Sequence, residues 1–195
     1  MGKYLDFWLE NGARPAVRPA TLALYESKLR KHVVPVLGQT RLQALKPADI
    51  QALYARKLRE GLSRRSVELI HVVLRRALSQ AVRWGLLVDN PADRVDRPRS
   101  DRPTPRVLSP QEAARVLQAA GEIGGTVYAL VATFLAAGLR LGEALGLRWE
   151  DVDLEAGELR VVRTLQRLQG RWVEGEPKTT RGRRRIPIPE ELAAV

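Results

Sequence analysis

A proline-rich, charged stretch at residues 89–105 divides the chain into two halves with different hydrophobic patterns. It holds four prolines, several arginines and aspartates, and almost no apolar residues, a composition typical of a linker. Apolar residues recur at helical spacing before it, whereas after it the pattern changes from helical spacing to a two-residue alternation. The sequence therefore predicts two globular parts, residues 1–91 and 106–195, joined by a linker at 92–105.

Four helices are predicted before the linker, at residues 3–10, 21–34, 47–60 and 63–84. Apolar side chains form one stripe in the second helix, at positions 22, 25, 29 and 33, and one in the fourth, at positions 67, 70, 74, 77, 78 and 81. Pro35 is expected to stop the second helix, and Ser63 is expected to cap the fourth. We expect four aromatic residues at core spacing to pack in the interior: Tyr25, Tyr54, Trp84 and Trp149.

The part after the linker is predicted to begin with helices and to end with strands. Ser109 and Glu112 have the spacing of a capping box, and the nearly all-apolar helix at 126–137 is expected to be central and buried. Period-two patterns predict three short antiparallel strands at 158–165, 170–174 and 184–188. Residues 189–195 begin a helix too short to be stable alone, which suggests a truncated domain. The predicted fold class is mainly α with a small antiparallel β-sheet.

Composition excludes several classes of site. The chain has no cysteine, so disulfides, thiol catalysis and thiolate zinc sites are excluded. His32 and His71 lie far apart without other ligands nearby, and we expect neither a metal nor a cofactor. No stretch of about 18 apolar residues is present and the first residues do not resemble a signal peptide, so we expect no membrane span and a cytoplasmic protein.

The distribution of charge predicts a polyanionic partner. The formal net charge is +11, and residues 1–106 contain 21 Lys and Arg against 10 Asp and Glu, whereas residues 107–195 contain 12 of each. The whole excess therefore lies in the first part, which favours nucleic acid over a charge that serves solubility alone.

The helix at 63–84 supplies a candidate surface for that partner. Steps of seven and eleven residues return to nearly the same side of a helix, so its arginines form a basic ridge. The capped N-terminus of the helix also suits a phosphate. The alternative is a solvated arginine face. The predicted DNA-binding residues of this helix are Ser63, Arg64, Arg65, Arg75, Arg76 and Arg83.

A second candidate site lies where an apolar helix ends at Gly138. Glycine at a helix end can adopt the left-handed conformation, so Arg140 is expected to project from a tight corner between two helices. Glu143 lies three residues further on, within reach of Arg140, and is interpreted as structural support rather than as an acid or base. This arrangement suits a bound phosphate; the alternative is a surface ion pair worth under about 1 kcal/mol.

Three segments together resemble the tyrosine recombinase (phage integrase) family. Residues 138–153, Gly-Leu-Arg-Leu-Gly-Glu-Ala-Leu-Gly-Leu-Arg-Trp-Glu-Asp-Val-Asp, are similar to its first arginine box. Residues 176–189, with Lys178 near their start, resemble the hairpin that carries the catalytic lysine. Residues 25–91 resemble the helical core-binding domain, through Pro35-Val36-Leu37-Gly38, Ala81-Val82-Arg83-Trp84-Gly85 and Asn90-Pro91. The order and spacing of the three segments also agree with the family.

The resemblance implies a SAM-like helical core-binding domain followed by the first part of an α+β catalytic domain. It implies that Arg140 contacts the scissile phosphate of double-stranded DNA and that Lys178 protonates the leaving 5′ oxygen or stabilises its charge; the alternative for Lys178 is an ordinary hairpin-tip lysine. The basic run of Arg181, Arg183, Arg184 and Arg185 is then expected to hold the DNA backbone, chiefly through Arg181 and Arg183. The intact protein would cut and rejoin DNA through a 3′-phosphotyrosine, without metal or nucleotide cofactor.

The tyrosine nucleophile of the family is missing from this sequence. Family order places it, with a second arginine box, after the lysine hairpin, whereas Tyr4, Tyr25, Tyr54 and Tyr128 all precede that hairpin. We therefore expect the chain alone to bind DNA as a monomer without cleaving it, whereas intact family members assemble as multimers on DNA. The alternative function is a non-enzymatic helical DNA-binding regulator or accessory factor, in which Arg140 and Lys178 are structural.

Overall fold

The computed structural model describes residues 1–99, 104–168, 170–177 and 182–189. The chain divides into two compact units, Met1–Thr104 and Pro105–Val195, and each has its own hydrophobic cluster. The predicted fold class, mainly α with small antiparallel sheets, is confirmed. The linker limits of 92–105 stay a prediction. Lys178, Arg181 and the predicted helix start after residue 189 lie outside the described residues.

The first unit is a helical bundle. Its α-helices are α1 (Gly2–Trp8), α2 (Pro19–Lys28), α3 (Val34–Leu37), α4 (Pro47–Arg59) and α5 (Arg64–Arg83). Wider π-helical turns extend α1 at Leu9–Ala13 and α2 at Leu29–Val33, and short 3₁₀ turns lie at Arg14–Ala16, Leu42–Ala44 and Pro91–Arg94. Within the described residues no helix is long and apolar enough to cross a bilayer.

Pro35 does not stop the second helix, so that prediction was wrong. The π-helical turn lets the amide of Val34 donate to the carbonyl of Leu29, five residues back. Pro35 then falls in the first turn of α3, where a missing amide donor costs little, and the helix continues to Leu37.

The periodic apolar stripe of α5 forms the centre of the first unit. Its six predicted core residues are all fully buried: Val67, Ile70, Leu74, Ala77, Leu78 and Ala81. Ser63 caps the helix as predicted, because its Oγ accepts a hydrogen bond from the amide of Ser66 at 3.2 Å. Tyr25 and Tyr54 are buried, whereas Trp84 stays partly exposed with its ring edge-on to Phe7.

In its described residues the second unit combines three α-helices and a short 3₁₀ turn at Trp149–Asp151 with two small sheets. Its helices are α6 (Pro110–Ile123), α7 (Gly125–Ala137) and α8 (Leu141–Leu145), and the predicted capping box of Ser109 and Glu112 begins α6. Its strands are β1 (Val152–Asp153), β2 (Glu158–Val161), β3 (Thr164–Leu168), β4 (Arg171–Gly175) and β5 (Arg184–Pro187). One antiparallel sheet has the order β1-β2-β5, and β3 and β4 form a separate hairpin.

The strand predicted at residues 158–165 is two strands in different sheets. The first sheet ends where Val161 pairs with Arg184, and the second begins where Thr164 pairs with Gly175. Between them Arg163 directs its guanidinium at Glu150, 2.9 Å away, which interrupts the alternation. The short strand β1 was missed because two residues show no period.

Helix α7 is not buried as its composition predicted. Only Ala132 and Ala137 of its residues are buried in the described structure, because α6 and α8 cover only part of an all-apolar surface. One side of α7, which includes Leu130, borders an open groove of about 340 Å³ that is also lined by Ala144 and Trp149. Trp149, expected to pack in the core, is 85% exposed at the edge of this groove, since no described side chain covers it.

Candidate nucleic-acid interface

The corner that carries Arg140 depends on one glycine. Helix α7 ends at Ala137, and Gly138 follows with a φ of 58° and a ψ of 33°, the left-handed conformation predicted for it. The next residue, Leu139, is buried and anchors the turn in the core of the unit. Arg140 then takes an extended conformation directly before α8, so its side chain leaves the protein at the corner.

Glu143 binds Arg140 twice, as its spacing predicted. The Glu143 carboxylate accepts one hydrogen bond from the backbone amide of Arg140 at 3.0 Å and one from its guanidinium Nη1 at 2.8 Å. The Glu143 side chain is 2% exposed, whereas the Arg140 side chain is 77% exposed. Within the described residues the Nε and Nη2 atoms of Arg140 have no further protein partner, which leaves most of its donors open to a ligand.

A second guanidinium reaches the same carboxylate from the sheet. On β5, Arg184 donates from Nη1 to Glu143 Oε1 at 3.2 Å and from Nη2 to Oε2 at 2.9 Å. The Arg184 side chain is only 30% exposed. The sequence placed Arg184 among arginines that face DNA, but the structure pairs it with Glu143. Sequence reasoning missed this contact because 41 residues separate the two, and no local spacing connects them.

These contacts fix the charge of Glu143. Burial alone would raise the pKa of this carboxyl, but hydrogen bonds from Arg184, from the amide of Arg140 and from the Arg140 guanidinium outweigh burial and lower the pKa to about 2. A general acid or base needs a pKa near the working pH. Glu143 is therefore ionised throughout the neutral range and suits a structural role.

The remaining predicted residues of the hairpin are only partly described. Lys178 and Arg181 lie outside the described residues, so their positions stay a prediction. Arg183 is described, and its Nη2 donates to Glu176 at 2.7 Å with both side chains largely exposed. Arg148, in the arginine-box segment, is held by Glu150 at 3.4 Å and Glu174 at 2.7 Å.

The five predicted arginines of α5 are all exposed on the first unit. Arg65 pairs with Glu68 at 2.9 Å, and Arg75 pairs with Asp93 at 2.5 Å. Two others have neutral partners: Arg76 donates to the hydroxyl of Tyr25 at 2.9 Å, and Arg83 donates to Gln80 at 2.5 Å. Arg64 has no ion pair in the described part of the chain. The surface of α5 therefore keeps a positive balance.

A groove of about 730 Å³ lies beside this surface in the same unit. It is lined by Arg75, Arg76, Arg83, Arg97, His71 and Asp93, with small apolar residues between them. The sequence did not predict Arg97 as a residue of this surface, because it falls in the stretch interpreted as a linker. Four arginines against one aspartate make this groove positive, which suits a polyanion.

Two of the described tyrosines, Tyr4 and Tyr54, do not resemble activated nucleophiles. The Tyr4 hydroxyl donates to the carbonyl of Ala77 at 2.5 Å, and the Tyr54 hydroxyl bonds to Nδ1 of His71 at 3.0 Å. Burial raises the pKa of both tyrosines, which disfavours the phenolate. In the described residues no group of three or more His, Asp or Glu side chains clusters as metal ligands would.

Comparison with known proteins places the chain in a family. A model of the phage integrase N-terminal SAM-like domain matches residues 1–58, and a model of the phage integrase family matches residues 106–195. The tyrosine recombinase XerC of Shewanella amazonensis is 32% identical over 162 residues, covering 80% of this chain and 54% of the relative. A XerC-like tyrosine recombinase of Caldanaerobacter subterraneus is 27% identical over 208 aligned positions, covering 98% of this chain and 53% of that protein.

A solved structure has the same fold. The Tn1549 transposon integrase, in complex with transposon right end DNA, superposes with a TM-score of 0.79 at 26% identity, covering 98% of this chain and 62% of the integrase chain. The chain belongs to the phage integrase family of tyrosine recombinases, which confirms the resemblance in its sequence. It spans about half the length of the two XerC-type relatives, 53% and 54%.

Proposed function

We propose that this chain is the DNA-binding part of a site-specific tyrosine recombinase that, in intact form, cuts and rejoins DNA through a 3′-phosphotyrosyl intermediate. The observation that carries the proposal is the Arg140 corner. The Arg140 side chain is 77% exposed, follows a left-handed glycine turn and is held by Glu143, whose side chain is 2% exposed. A surface ion pair with two exposed partners would not need such a buried anchor.

Arg140 is suited to clamp the scissile phosphate. A guanidinium stays charged and can donate two parallel hydrogen bonds to phosphate oxygens. In the absence of DNA one Nη of Arg140 is bound to Glu143, and the open Nε and Nη2 form the edge that would first meet the phosphate. Charge that develops on the phosphate oxygens during strand cleavage would be stabilised by donors already in position. Lys178 is proposed to protonate the leaving 5′ oxygen.

The first unit is proposed to hold the duplex. Its charge excess, the exposed arginines of α5 and the positive groove beside them support contact with phosphates along the DNA backbone. The DNA complex of the Tn1549 integrase, which has the same fold, supports duplex DNA as the partner. We propose that the chain alone binds as a monomer and that the intact protein assembles as a multimer on DNA.

The rival function is a DNA-binding regulator or accessory factor without strand cleavage. The observation in its favour is that Tyr4 and Tyr54 have buried hydroxyls engaged in hydrogen bonds. In that case Arg140 would have only a structural role. Its replacement by another long polar residue would then leave the affinity for duplex DNA unchanged.

Replacing Arg76 and Arg83 together by alanine is expected to weaken duplex binding by the full chain about tenfold, because their guanidinium groups have only neutral partners, Tyr25 and Gln80. The two residues lie seven positions apart, which is about two helical turns, so they share one side of α5. If each contacts one phosphate, the log–log slope of affinity against salt should fall by about two. Fluorescence anisotropy with a labelled duplex at several salt concentrations measures both quantities.

Arg75→Ala is the matched control on the same helix. Its guanidinium is already paired with Asp93, so its loss should change the slope much less. The loss in the double variant should be similar on unrelated duplexes, because phosphate contacts carry no sequence information. An unchanged dissociation constant in the double variant would show that this side of α5 faces solvent.

A further inference from the structure

Glu143 is bound by two positively charged side chains, although one would be enough to neutralise its charge. It is one carboxylate, and it receives three hydrogen bonds from two guanidinium groups and a fourth from the amide of Arg140. The two arginines differ in exposure, since Arg140 is 77% exposed and Arg184 is 30% exposed. Arg184 therefore binds the carboxylate from the protein side, and Arg140 binds it from the solvent side.

Resting on the proposed function, we propose that Arg184 is a positioning residue: it keeps the charge of Glu143 compensated when Arg140 turns from Glu143 to a DNA phosphate. The physical reason is the cost of a buried carboxylate without a partner, which exceeds the cost of breaking an exposed ion pair. With Arg184 in place, Glu143 keeps two guanidinium bonds and the amide of Arg140 after the Arg140 side chain has left. Without Arg184, the same movement would leave Glu143 with the amide alone.

The same contact joins two parts of the second unit. Glu143 belongs to α8, at the corner, and Arg184 begins β5, where it also donates to the carbonyl of Gly182 at 3.3 Å. Among the described residues, the charged groups that bond to Glu143 are Arg140 before α8 and Arg184 on β5. Arg184 thus connects the Arg140 corner to β5 through the Glu143 carboxylate.

The proposal predicts that the contribution of Arg140 to DNA binding depends on Arg184. In the full chain, Arg140→Gln is expected to weaken binding to a labelled duplex about fivefold, as loss of one charged phosphate contact. In an Arg184→Gln background the same Arg140→Gln change should have almost no further effect, because Glu143 retains the Arg140 side chain. Adding Glu143→Gln to that background removes the buried charge, and the effect of Arg140→Gln should return.

Arg185→Gln is the control for charge. Arg185 lies next to Arg184 on β5, is largely exposed and pairs with Glu158 at 3.4 Å rather than with Glu143. Its replacement removes the same charge from the same strand, so the fivefold effect of Arg140→Gln should persist there. Circular dichroism of each variant identifies any variant that fails to fold. If the effect of Arg140→Gln on duplex binding returns in the Glu143→Gln, Arg184→Gln double variant, its loss in Arg184→Gln was caused by an uncompensated charge and not by unfolding.

A second measurement needs no DNA. Carbon-detected NMR titration of the Glu143 carboxyl should show its pKa rising by at least about one unit in Arg184→Gln, and by less in Arg140→Gln, since the more buried partner is removed in the first. The inference is overturned if Arg140→Gln raises this pKa as much as Arg184→Gln does, or if the fivefold effect survives in the Arg184→Gln background. If Arg140→Gln has no effect on binding even in the parent chain, the proposed function fails.

Discussion

Replacing Arg140 by lysine should reduce DNA strand cleavage at least about 100-fold in a protein that joins this chain to the remainder of a recombinase catalytic domain. Lysine keeps the positive charge but loses the planar fork that can donate two parallel hydrogen bonds to a phosphate. Because the Arg140 side chain is exposed, folding should be preserved, and the effect on duplex affinity should be small. A nicked suicide duplex analysed on a denaturing gel measures cleavage as a covalent protein–DNA band.

Arg148→Lys is the matched control for this change. Arg148 belongs to the same sequence segment, but its guanidinium is held by Glu150 and Glu174, so cleavage should stay near the parent value. The 195-residue chain by itself should give no covalent band, because its tyrosines precede the lysine hairpin and at least two have buried hydroxyls. Cleavage that survives Arg140→Lys within about threefold would make Arg140 a structural residue.

Residues 1–106 should supply most of the affinity for duplex DNA, and that affinity should depend steeply on salt. They carry the whole charge excess of the chain, and the arginines of α5 are exposed. With about five neutralised phosphates, raising the salt from about 50 to about 200 mM should weaken binding on the order of 10²–10³-fold. Gel shift of residues 1–106 and of residues 107–195, over the same salt range, measures the two contributions.

The fold of each fragment has to be verified beside this measurement. The first unit has its own core of buried residues around α5, so residues 1–106 should give a cooperative thermal transition. The second unit has a much smaller buried cluster, built around Leu159 and Val161. If folded residues 107–195 bind duplex as tightly as residues 1–106, the charge excess of the first part does not determine where DNA binds.

Features with a long or local sequence signal could be predicted. The stripe of α5 repeats over about four turns, and each of its six predicted core residues is buried. The corner at Gly138 and the contact between Arg140 and Glu143 could also be predicted, because a left-handed glycine and a three-residue spacing are local properties of the chain.

Features that depend on contacts between distant residues could not be predicted from the sequence. Arg184 was grouped with its basic neighbours, and only the pairing of β2 with β5 brings it to Glu143. Pro35 was expected to stop a helix because the preceding π-helical turn has no sequence signal of its own. The exposure of α7 and Trp149 follows from which elements cover them, and apolar composition does not contain that information.

The most direct test of Arg140 as a phosphate clamp identifies the single DNA phosphate that it contacts. A series of duplexes is prepared, and each carries one neutral methylphosphonate at a different backbone position. The dissociation constant of every duplex is measured for the parent chain and for Arg140→Gln. If Arg140 contacts one phosphate, the neutral linkage at that position should weaken binding by the parent chain about fivefold. It should leave binding by Arg140→Gln unchanged, because that variant has already lost the contact. Equal losses for both proteins at every position would contradict the assignment of Arg140 as a phosphate clamp.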